Sequence, residues 1–172
     1  MPNNQDAREA DVLVAIQSAL FDVPGVVPSA RGLSHLGEHA LGWLGMSAVG
    51  CALDARRRRQ WFTLGAAAFV AHAISVVLKR IVRRRRPHDE RIRIGVATPS
   101  ALSFPSSHAT STTAAMVVLA KVTGSRLPWL GVPVMMLSRM VLGVHYPTDT
   151  LVGAGIGAAT AAAATRIERN SR

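Results

Sequence analysis

Apolar residues along this chain fall into long runs that are separated by short polar or arginine-rich stretches. Five runs predict helices, with bounds of 33–53, 61–82, 106–122, 128–144 and 148–165. A helix needs about 20 residues to cross a hydrocarbon core of roughly 30 Å, so the last three runs are at the short end of a membrane span. Those three are rich in Ala, Gly, Ser and Thr, whose small side chains let helices approach closely in lipid. The pattern predicts an all-α, polytopic membrane bundle of about five spanning helices.

The first 32 residues form a separate N-terminal region, in which residues 1–7 are predicted to be disordered. The stretch 8–21 predicts an amphipathic helix lying on the membrane surface, because its apolar residues recur at helical spacing among charged ones. These apolar residues are Val12, Leu13, Ile16 and Leu20. Pro24, Gly25 and Pro28 are expected to end this helix. A soluble core helix is the better interpretation only if the later runs do not span.

The length of 172 residues predicts a single domain. Within it we expect residues 1–32 to form the N-terminal tail and amphipathic helix, 33–165 the helical core, and 166–172 a basic tail. The single cysteine, Cys51, excludes an internal disulfide and a cysteine-based metal site.

The net charge of +10 comes largely from arginine clusters at 56–59 and 83–86. A basic protein can bind nucleic acid through its phosphates, but aromatic residues for base stacking make up only 5% of this chain. Basic loops beside apolar runs predict contact with anionic membrane lipids instead, and no nucleic-acid partner.

Lys79 and Arg86 are separated by six residues, and Pro87 follows. If the helix of run 61–82 continues this far, both cations lie on nearly the same face and Pro87 ends the helix. Two such cations form an oxyanion clamp, because a guanidinium grips phosphate bidentately. The alternative is a basic flank of a membrane segment, which is the commoner role of either residue alone.

The residues Pro105, Ser106, Ser107 and His108 open the third run. A proline followed by a capping serine predicts a helix start, where free backbone N–H groups and the helix dipole favour a phosphate. His108 lies in the first turn, within reach of such an anion. The alternative is an ordinary helix cap with an interfacial histidine.

Arg139 lies in an apolar run, where a cation is costly unless it is paired. Gly143 and Pro147 predict a break that redirects the chain after it. His145 and Asp149 are four residues apart, so the carboxylate can orient the imidazole and leave its other nitrogen as a nucleophile. In the alternative, Thr148 or Asp149 only caps the fifth helix.

With five spans, all three motifs lie on one side of the membrane. Their order and spacing resemble the signature of the type 2 phosphatidic acid phosphatase superfamily, which also includes vanadium haloperoxidases and bacterial acid phosphatases. That signature is Lys-x6-Arg-Pro, Pro-Ser-Gly-His and Ser-Arg-x5-His-x3-Asp. This chain has Lys79-x6-Arg86-Pro87, Pro105-Ser106-Ser107-His108 and Ser138-Arg139-x5-His145-x3-Asp149. The one departure is Ser107 in place of glycine, which disfavours a left-handed backbone there.

The resemblance implies a metal-independent phosphatase without a cofactor, in which His145 attacks phosphorus and forms a phosphohistidine. Asp149 would orient His145, and His108 would protonate the leaving alkoxide and then activate water. The residues implied to hold the phosphoryl oxygens are Lys79, Arg86, Ser106, Ser107 and Arg139.

Within that superfamily, the local sequences 32–39, 102–106 and 142–147 resemble the actinobacterial decaprenylphosphoryl-5-phosphoribose phosphatases. The resemblance implies a multi-pass protein of the bacterial inner membrane that acts on a lipid-linked phosphate in cell-wall arabinan precursor synthesis. We hypothesise that His35, Glu38 and His39 contact the sugar hydroxyls. The alternative is that they cap a helix or pair with the arginines at 83–85.

Three further points stay open. A phosphatase for polyprenyl diphosphate, phosphatidic acid or phosphatidylglycerophosphate would share the same motifs, whereas a membrane scaffold with basic loops would not need the spacing of His145 and Asp149. Basic residues outside the motifs number eight on the motif side and nine on the other, so they do not select a membrane face. The last run, rich in Gly and Ala, is the predicted contact face if the protein forms homo-oligomers.

Overall fold

The computed structural model describes residues 4–171, in which the regular secondary structure is helical. The α-helices are α1 Asn4–Leu20, α2 Val26–Gly37, α3 Leu41–Leu53, α4 Arg58–Val82, α5 Ser107–Thr123, α6 Gly131–Val141 and α7 Pro147–Asn170. Short 3-10 turns at Glu38–Ala40, Ala55–Arg57 and Leu127–Leu130 lead into α3, α4 and α6. The predicted all-α class is therefore confirmed.

The centre of the bundle is α5, which packs against α4 and α7. The contact with α7 is close because α7 presents glycines to it. A Cβ atom at Gly157 would collide with the carbonyl oxygen of Thr110, and one at Gly153 would lie 2.8 Å from that of Ser106. The predicted role of small residues in helix contacts is thus confirmed here, and these glycines fix the position of the first turn of α5.

The predicted segment 33–53 is not one helix. A helix that the sequence did not predict, α2, begins at Val26 with Pro28 in its first turn, and it ends at Gly37. His39 and Ala40 then adopt left-handed φ values of 50° and 60°. This break turns the chain so that Ala40 is fully buried in the core while His39 stays exposed. Neither residue is a glycine, the residue that most often adopts a positive φ, so the local sequence did not predict the break.

The N-terminal helix α1 is present as predicted, but it begins at Asn4, so disorder of residues 4–7 is wrong. Residues 1–3 lie outside the described part. The residues it buries are Glu9, Ala10, Leu13 and Gln17, whereas Val12 is 47% exposed. The Gln17 amide donates to the carbonyl oxygens of Arg93 and Val141 at 2.7 and 2.9 Å and accepts from the Arg93 N–H at 2.9 Å. Gln17 is buried on α1 because it binds the backbone of a loop and of α6.

The first motif crosses the end of α4 instead of continuing it. Arg83 ends the helix in the left-handed conformation, with φ 55°, and Arg85 then pairs with Leu102 in an isolated antiparallel bridge. The prediction that Lys79 and Arg86 share a helix face is therefore wrong. The two cations approach the same place from a helix and from a loop.

Two helices are long and apolar enough to cross a bilayer, namely the stretch Ala55–Val82, which contains α4, and α7. The other predicted spans are shorter, with 17 residues in α5, 13 in α3 and 11 in α6. The number of spans stays a prediction. At the other end of α7 the helix continues to Asn170, so most of the predicted basic tail 166–172 is helical.

Candidate active site

All three motifs reach one cavity of about 480 Å³, at the end of the bundle where α4 ends and α5 begins. The motif residues that line it are Lys79, Arg86, Ser107, His108, Arg139 and His145. Ser106 and Asp149 are fully buried behind this lining. The three motifs therefore meet at one end of the bundle, and their shared side of the membrane stays a prediction.

His145 and Asp149 form a buried pair. The left-handed Gly143, with φ 69°, follows α6 and redirects the chain, and Tyr146 then caps α7. His145 Nδ1 lies 3.5 Å from Asp149 Oδ2, which also accepts the Tyr146 backbone N–H at 2.8 Å. Asp149 thus holds the helix start and faces the imidazole at the same time.

Arg86 fixes the other side of the imidazole. Its Nη1 donates to the Val144 carbonyl oxygen at 2.7 Å and lies 3.2 Å from His145 Nε2. Because a guanidinium only donates, Nε2 carries the lone pair and Nδ1 carries the proton that faces Asp149. Burial, together with the positive charges of Arg86, Lys79 and Arg139, lowers the pKa of His145 well below its usual value. The imidazole is therefore neutral at pH 7, with its lone pair on Nε2, where it faces Arg86.

His108 is held by the start of α5 and by α2. Ser106 caps α5 by accepting the Ala109 N–H at 3.4 Å, as the sequence predicted. His108 Nε2 donates to the Ser34 carbonyl oxygen at 2.9 Å, which leaves Nδ1 as the nitrogen that can exchange a proton. Gly37 lies against this ring, where a Cβ atom would be 2.7 Å from His108 Cδ2.

Arg139 is a buried cation of the cavity lining whose guanidinium has unused donors. It is 1% exposed, and its Nε and Nη1 atoms have no hydrogen-bond partner among residues 4–171. A buried guanidinium in this state favours an anion as its partner, because an unpaired buried charge is costly.

Lys79 is arranged differently from the prediction that it holds phosphate oxygens directly. Its Nζ donates to the carbonyl oxygens of Leu102, Ser103 and Pro105 at 3.3, 2.9 and 2.7 Å. All three ammonium hydrogens are thereby used to tie the loop that precedes α5 to the end of α4. Its positive charge still faces the cavity.

The two serines of the second motif also have partners within the protein. The Ser107 hydroxyl lies 2.7 Å from the Ser75 hydroxyl of α4. Ser107 is not left-handed, so its difference from the glycine of the family signature causes no strain there. Its side chain, unlike that of Ser106, lines the cavity.

The residues predicted to bind a headgroup, His35, Glu38 and His39, lie on the cavity lining. His35 Nδ1 is 3.9 Å from Glu38 Oε2. Sequence reasoning missed His72 of α4, which also lines the cavity and whose ring centroid is 5.9 Å from that of His39. No spacing signal connects residues 33 positions apart, so only the fold could identify this contact.

Within residues 4–171, no three His, Cys, Asp or Glu side chains are grouped so that they could hold a metal ion. Apart from Glu38, the titratable groups of the cavity lining are histidines and cations, which suit a tetrahedral anion.

Curated proteins and a family pattern resemble this chain over most of its length. The PAP2 superfamily pattern matches residues 60–172. Decaprenylphosphoryl-5-phosphoribose phosphatase of Mycobacterium tuberculosis (strain CDC 1551 / Oshkosh) is 56% identical over 154 residues, which cover 90% of this chain and 87% of that protein. The protein of the same name from Mycolicibacterium smegmatis is 56% identical over 152 residues, which cover 88% and 82%.

Two solved structures share the fold. The transmembrane PAP2-type phosphatidylglycerolphosphate phosphatase of Bacillus subtilis has a TM-score of 0.74 at 19% identity, covering 95% of this chain and 87% of that one. Aquifex aeolicus LpxE has a TM-score of 0.75 at 20% identity, covering 91% and 94%. The motifs, the helical bundle and these relatives together lead to one conclusion, that the chain belongs to the PAP2 superfamily of phosphatases.

Proposed function

We propose that this protein is a lipid phosphate phosphatase of the bacterial inner membrane that converts decaprenylphosphoryl-5-phosphoribose to decaprenylphosphoryl-ribose. The observation that carries the proposal is the meeting of His108, His145, Arg86 and Arg139 on one cavity. The substrate is supported by relatives named for it that are 56% identical over 90% of the chain, so the likeness is not confined to the three motifs.

In the first step, His145 Nε2 forms a bond to phosphorus while the bond from phosphorus to the ribose oxygen breaks. The Nδ1 proton faces Asp149 at 3.5 Å, so the positive charge that develops on the ring is met by a buried carboxylate. The Arg86 contact to Nε2, 3.2 Å long, must give way, and a phosphoryl oxygen takes this donor instead.

His108 supplies the proton that the leaving ribose oxygen needs. The Ser34 carbonyl oxygen holds the Nε2 proton at 2.9 Å, so the transferred proton is carried on Nδ1. In the second step, His108 Nδ1 takes a proton from water as the water oxygen attacks phosphorus. The bond from phosphorus to His145 breaks, and inorganic phosphate leaves with the enzyme restored.

The cations stabilise the charge on the three equatorial oxygens. Arg139 provides buried N–H groups that have no partner among residues 4–171, and Arg86 provides the donor released by His145. Lys79 acts mainly by holding the loop 102–105 and through its charge, because its three donors are already used.

Residues at the rim of the cavity would bind the ribose of the substrate. His35, Glu38 and His39 are exposed residues of the cavity lining. His35 lies in the last turn of α2, and Glu38 and His39 belong to the break between α2 and α3. Carboxylate and imidazole groups bind ribose hydroxyls by hydrogen bonds, whereas glycerophospholipid phosphates lack this ring. Arg84, one of the arginines considered as a partner for Glu38, pairs with Asp6 and Glu9 instead.

A substrate panel tests the proposal. Purified protein in detergent is assayed for phosphate release from decaprenylphosphoryl-5-phosphoribose, a polyprenyl diphosphate, phosphatidylglycerophosphate and phosphatidic acid. We expect the highest kcat/KM on the first, and we expect His145→Ala to abolish release and phosphoenzyme labelling on all four. Higher kcat/KM on another lipid overturns the substrate, and an active His145→Ala protein overturns the mechanism.

Glu38→Gln tests whether Glu38 recognises the ribose of the substrate. A loss confined to decaprenylphosphoryl-5-phosphoribose supports recognition, whereas an equal loss on every substrate assigns Glu38 a structural role. Glu90→Gln is the matched control, because Glu90 is exposed and lies outside the cavity lining.

A further inference from the structure

A cluster of charges lies behind the His145–Asp149 pair, outside the cavity lining, and Arg84 is at its centre. Arg84 Nη1 donates to Asp149 Oδ1 at 3.0 Å and to Thr148 Oγ1 at 2.7 Å. Its Nη2 donates to Glu9 Oε1 at 2.9 Å and to a carboxylate oxygen of Asp6. One guanidinium therefore joins the carboxylate that faces the imidazole to two carboxylates of α1.

Glu9 completes the cluster from the N-terminal helix. Its Oε2 accepts the Thr148 backbone N–H at 3.0 Å, and the Thr148 hydroxyl donates to it at 2.7 Å. Burial raises the pKa of Glu9, but the hydrogen bonds from Thr148 and Arg84 together lower it by more. The pKa of Glu9 therefore lies below its usual value. Glu9 is therefore a carboxylate at neutral pH and binds the first turn of α7 next to Asp149.

The carboxylate of Asp149 depends on this cluster because it is fully buried. Its Oδ2 faces the Tyr146 N–H at 2.8 Å and His145 Nδ1 at 3.5 Å, and its Oδ1 has the Arg84 guanidinium. Without Arg84, a desolvated carboxylate would take up a proton or turn toward the cations of the cavity. Either change removes the acceptor that faces His145 Nδ1.

We propose that Arg84, held in place by Glu9 of α1, is a positioning residue for the His145–Asp149 pair, so the N-terminal helix is part of the catalytic apparatus. The inference rests on the proposed function, because it assumes that His145 is the nucleophile. Arg84 has no role in binding the phosphate and acts only through Asp149. This separates it from Arg86, two residues later, whose guanidinium contacts the imidazole directly.

The test compares Arg84→Met with Arg91→Met. Both arginines lie in the loop after α4 and pair with α1, but Arg91 pairs with Asp11 and Asp89 and is 54% exposed. We expect Arg84→Met to lower kcat by about 10- to 100-fold, the range known for groups that orient metal-binding histidines and carboxylates, with KM changed less than about threefold. Arg91→Met is expected to keep kcat within about twofold, since exposed ion pairs contribute little. Equal kcat in wild type and Arg84→Met overturns the proposal.

A double-mutant cycle separates positioning from mere stability. On an Asp149→Asn background, Arg84→Met should lower kcat by less than about threefold, because its route to His145 is already cut. A loss as large as that in wild type means that Arg84 acts by another route and overturns the inference. If Arg84→Met does not fold, Glu9→Gln, which keeps the side-chain shape, decides in the same way. Should His145→Ala retain activity, the proposed function fails; should His145→Ala be inactive while Arg84→Met and Glu9→Gln are normal, only this inference fails.

Discussion

Gly37 offers a direct test of the position of His108. A Cβ atom at Gly37 would lie 2.7 Å from His108 Cδ2 and 3.4 Å from Met135 Cε. Carbon atoms in ordinary contact are about 3.5–4.0 Å apart, so in Gly37→Ala the imidazole must move by roughly 1 Å. The backbone itself accepts alanine, because Gly37 has φ −85° and ψ −5°.

The size of the effect follows from this displacement. Misplacing a catalytic group by about 1 Å costs on the order of 100-fold in rate. At 1.36 kcal/mol for each factor of ten, this adds about 2.7 kcal/mol to the activation free energy. The free energy of unfolding should change less, since an overpacking cost of about 1–3 kcal/mol is offset by about 0.5–1 kcal/mol gained on replacing a helical glycine.

Gly32→Ala is the matched control, because it lies on the same helix and its Cβ atom would have no neighbour within 4 Å. We expect Gly32→Ala to keep wild-type kcat and to raise the free energy of unfolding by about 0.5–1 kcal/mol. Phosphate release gives kcat, and chemical unfolding in detergent gives the stability of both variants. A folded Gly37→Ala protein with kcat within twofold of wild type would refute the reasoning, because the His108 ring would then not need its observed position.

Two more predictions concern charge. Arg139→Met should lower kcat by about 100- to 1000-fold, as expected for losing a transition-state donor. The melting temperature without substrate should stay equal or rise, because the substitution removes a buried cation whose Nε and Nη1 have no partner within residues 4–171. Normal turnover would contradict this. Acidification should lower the free energy of unfolding once the pH falls below about 6.5, by up to about 1.4 kcal/mol per pH unit, because the unfolded chain takes up a proton that native His145, with its lowered pKa, does not. The lowered pKa of Glu9 acts in the same direction below its usual value of 4.5. In unfolding curves between pH 5 and 8, His145→Asn should show the shallower dependence, and identical slopes would count against it.

The features predicted correctly from sequence depend on residues that are close in the chain. Ser106 caps α5 through Ala109, three residues on. Gly143 breaks the chain after α6 with a positive φ of 69°. His145 and Asp149 face each other across four residues. Helical geometry relates such neighbours directly, so their spacing was enough.

The features that were missed depend on residues that are far apart. Glu9 binds Thr148 across 139 residues, and Gln17 binds Arg93 across 76. Hydropathy predicts that Glu9 and Gln17 of α1 face solvent. A polar group is buried favourably only when the fold supplies hydrogen-bond partners, which hydropathy does not consider. The buried face of α1 was therefore not predictable from its own pattern.

The sequence by itself determined the kind of chemistry, through two histidines, a carboxylate and a set of cations in a recognisable order. Only the tertiary structure decided how each cation is used. Lys79 binds loop carbonyl oxygens, and Arg84 pairs with Asp149 outside the cavity lining. Arg139 has N–H groups without a hydrogen-bond partner in residues 4–171. The reason is that spacing fixes the direction of a side chain on its own helix, whereas its hydrogen-bond partners come from segments brought in by folding.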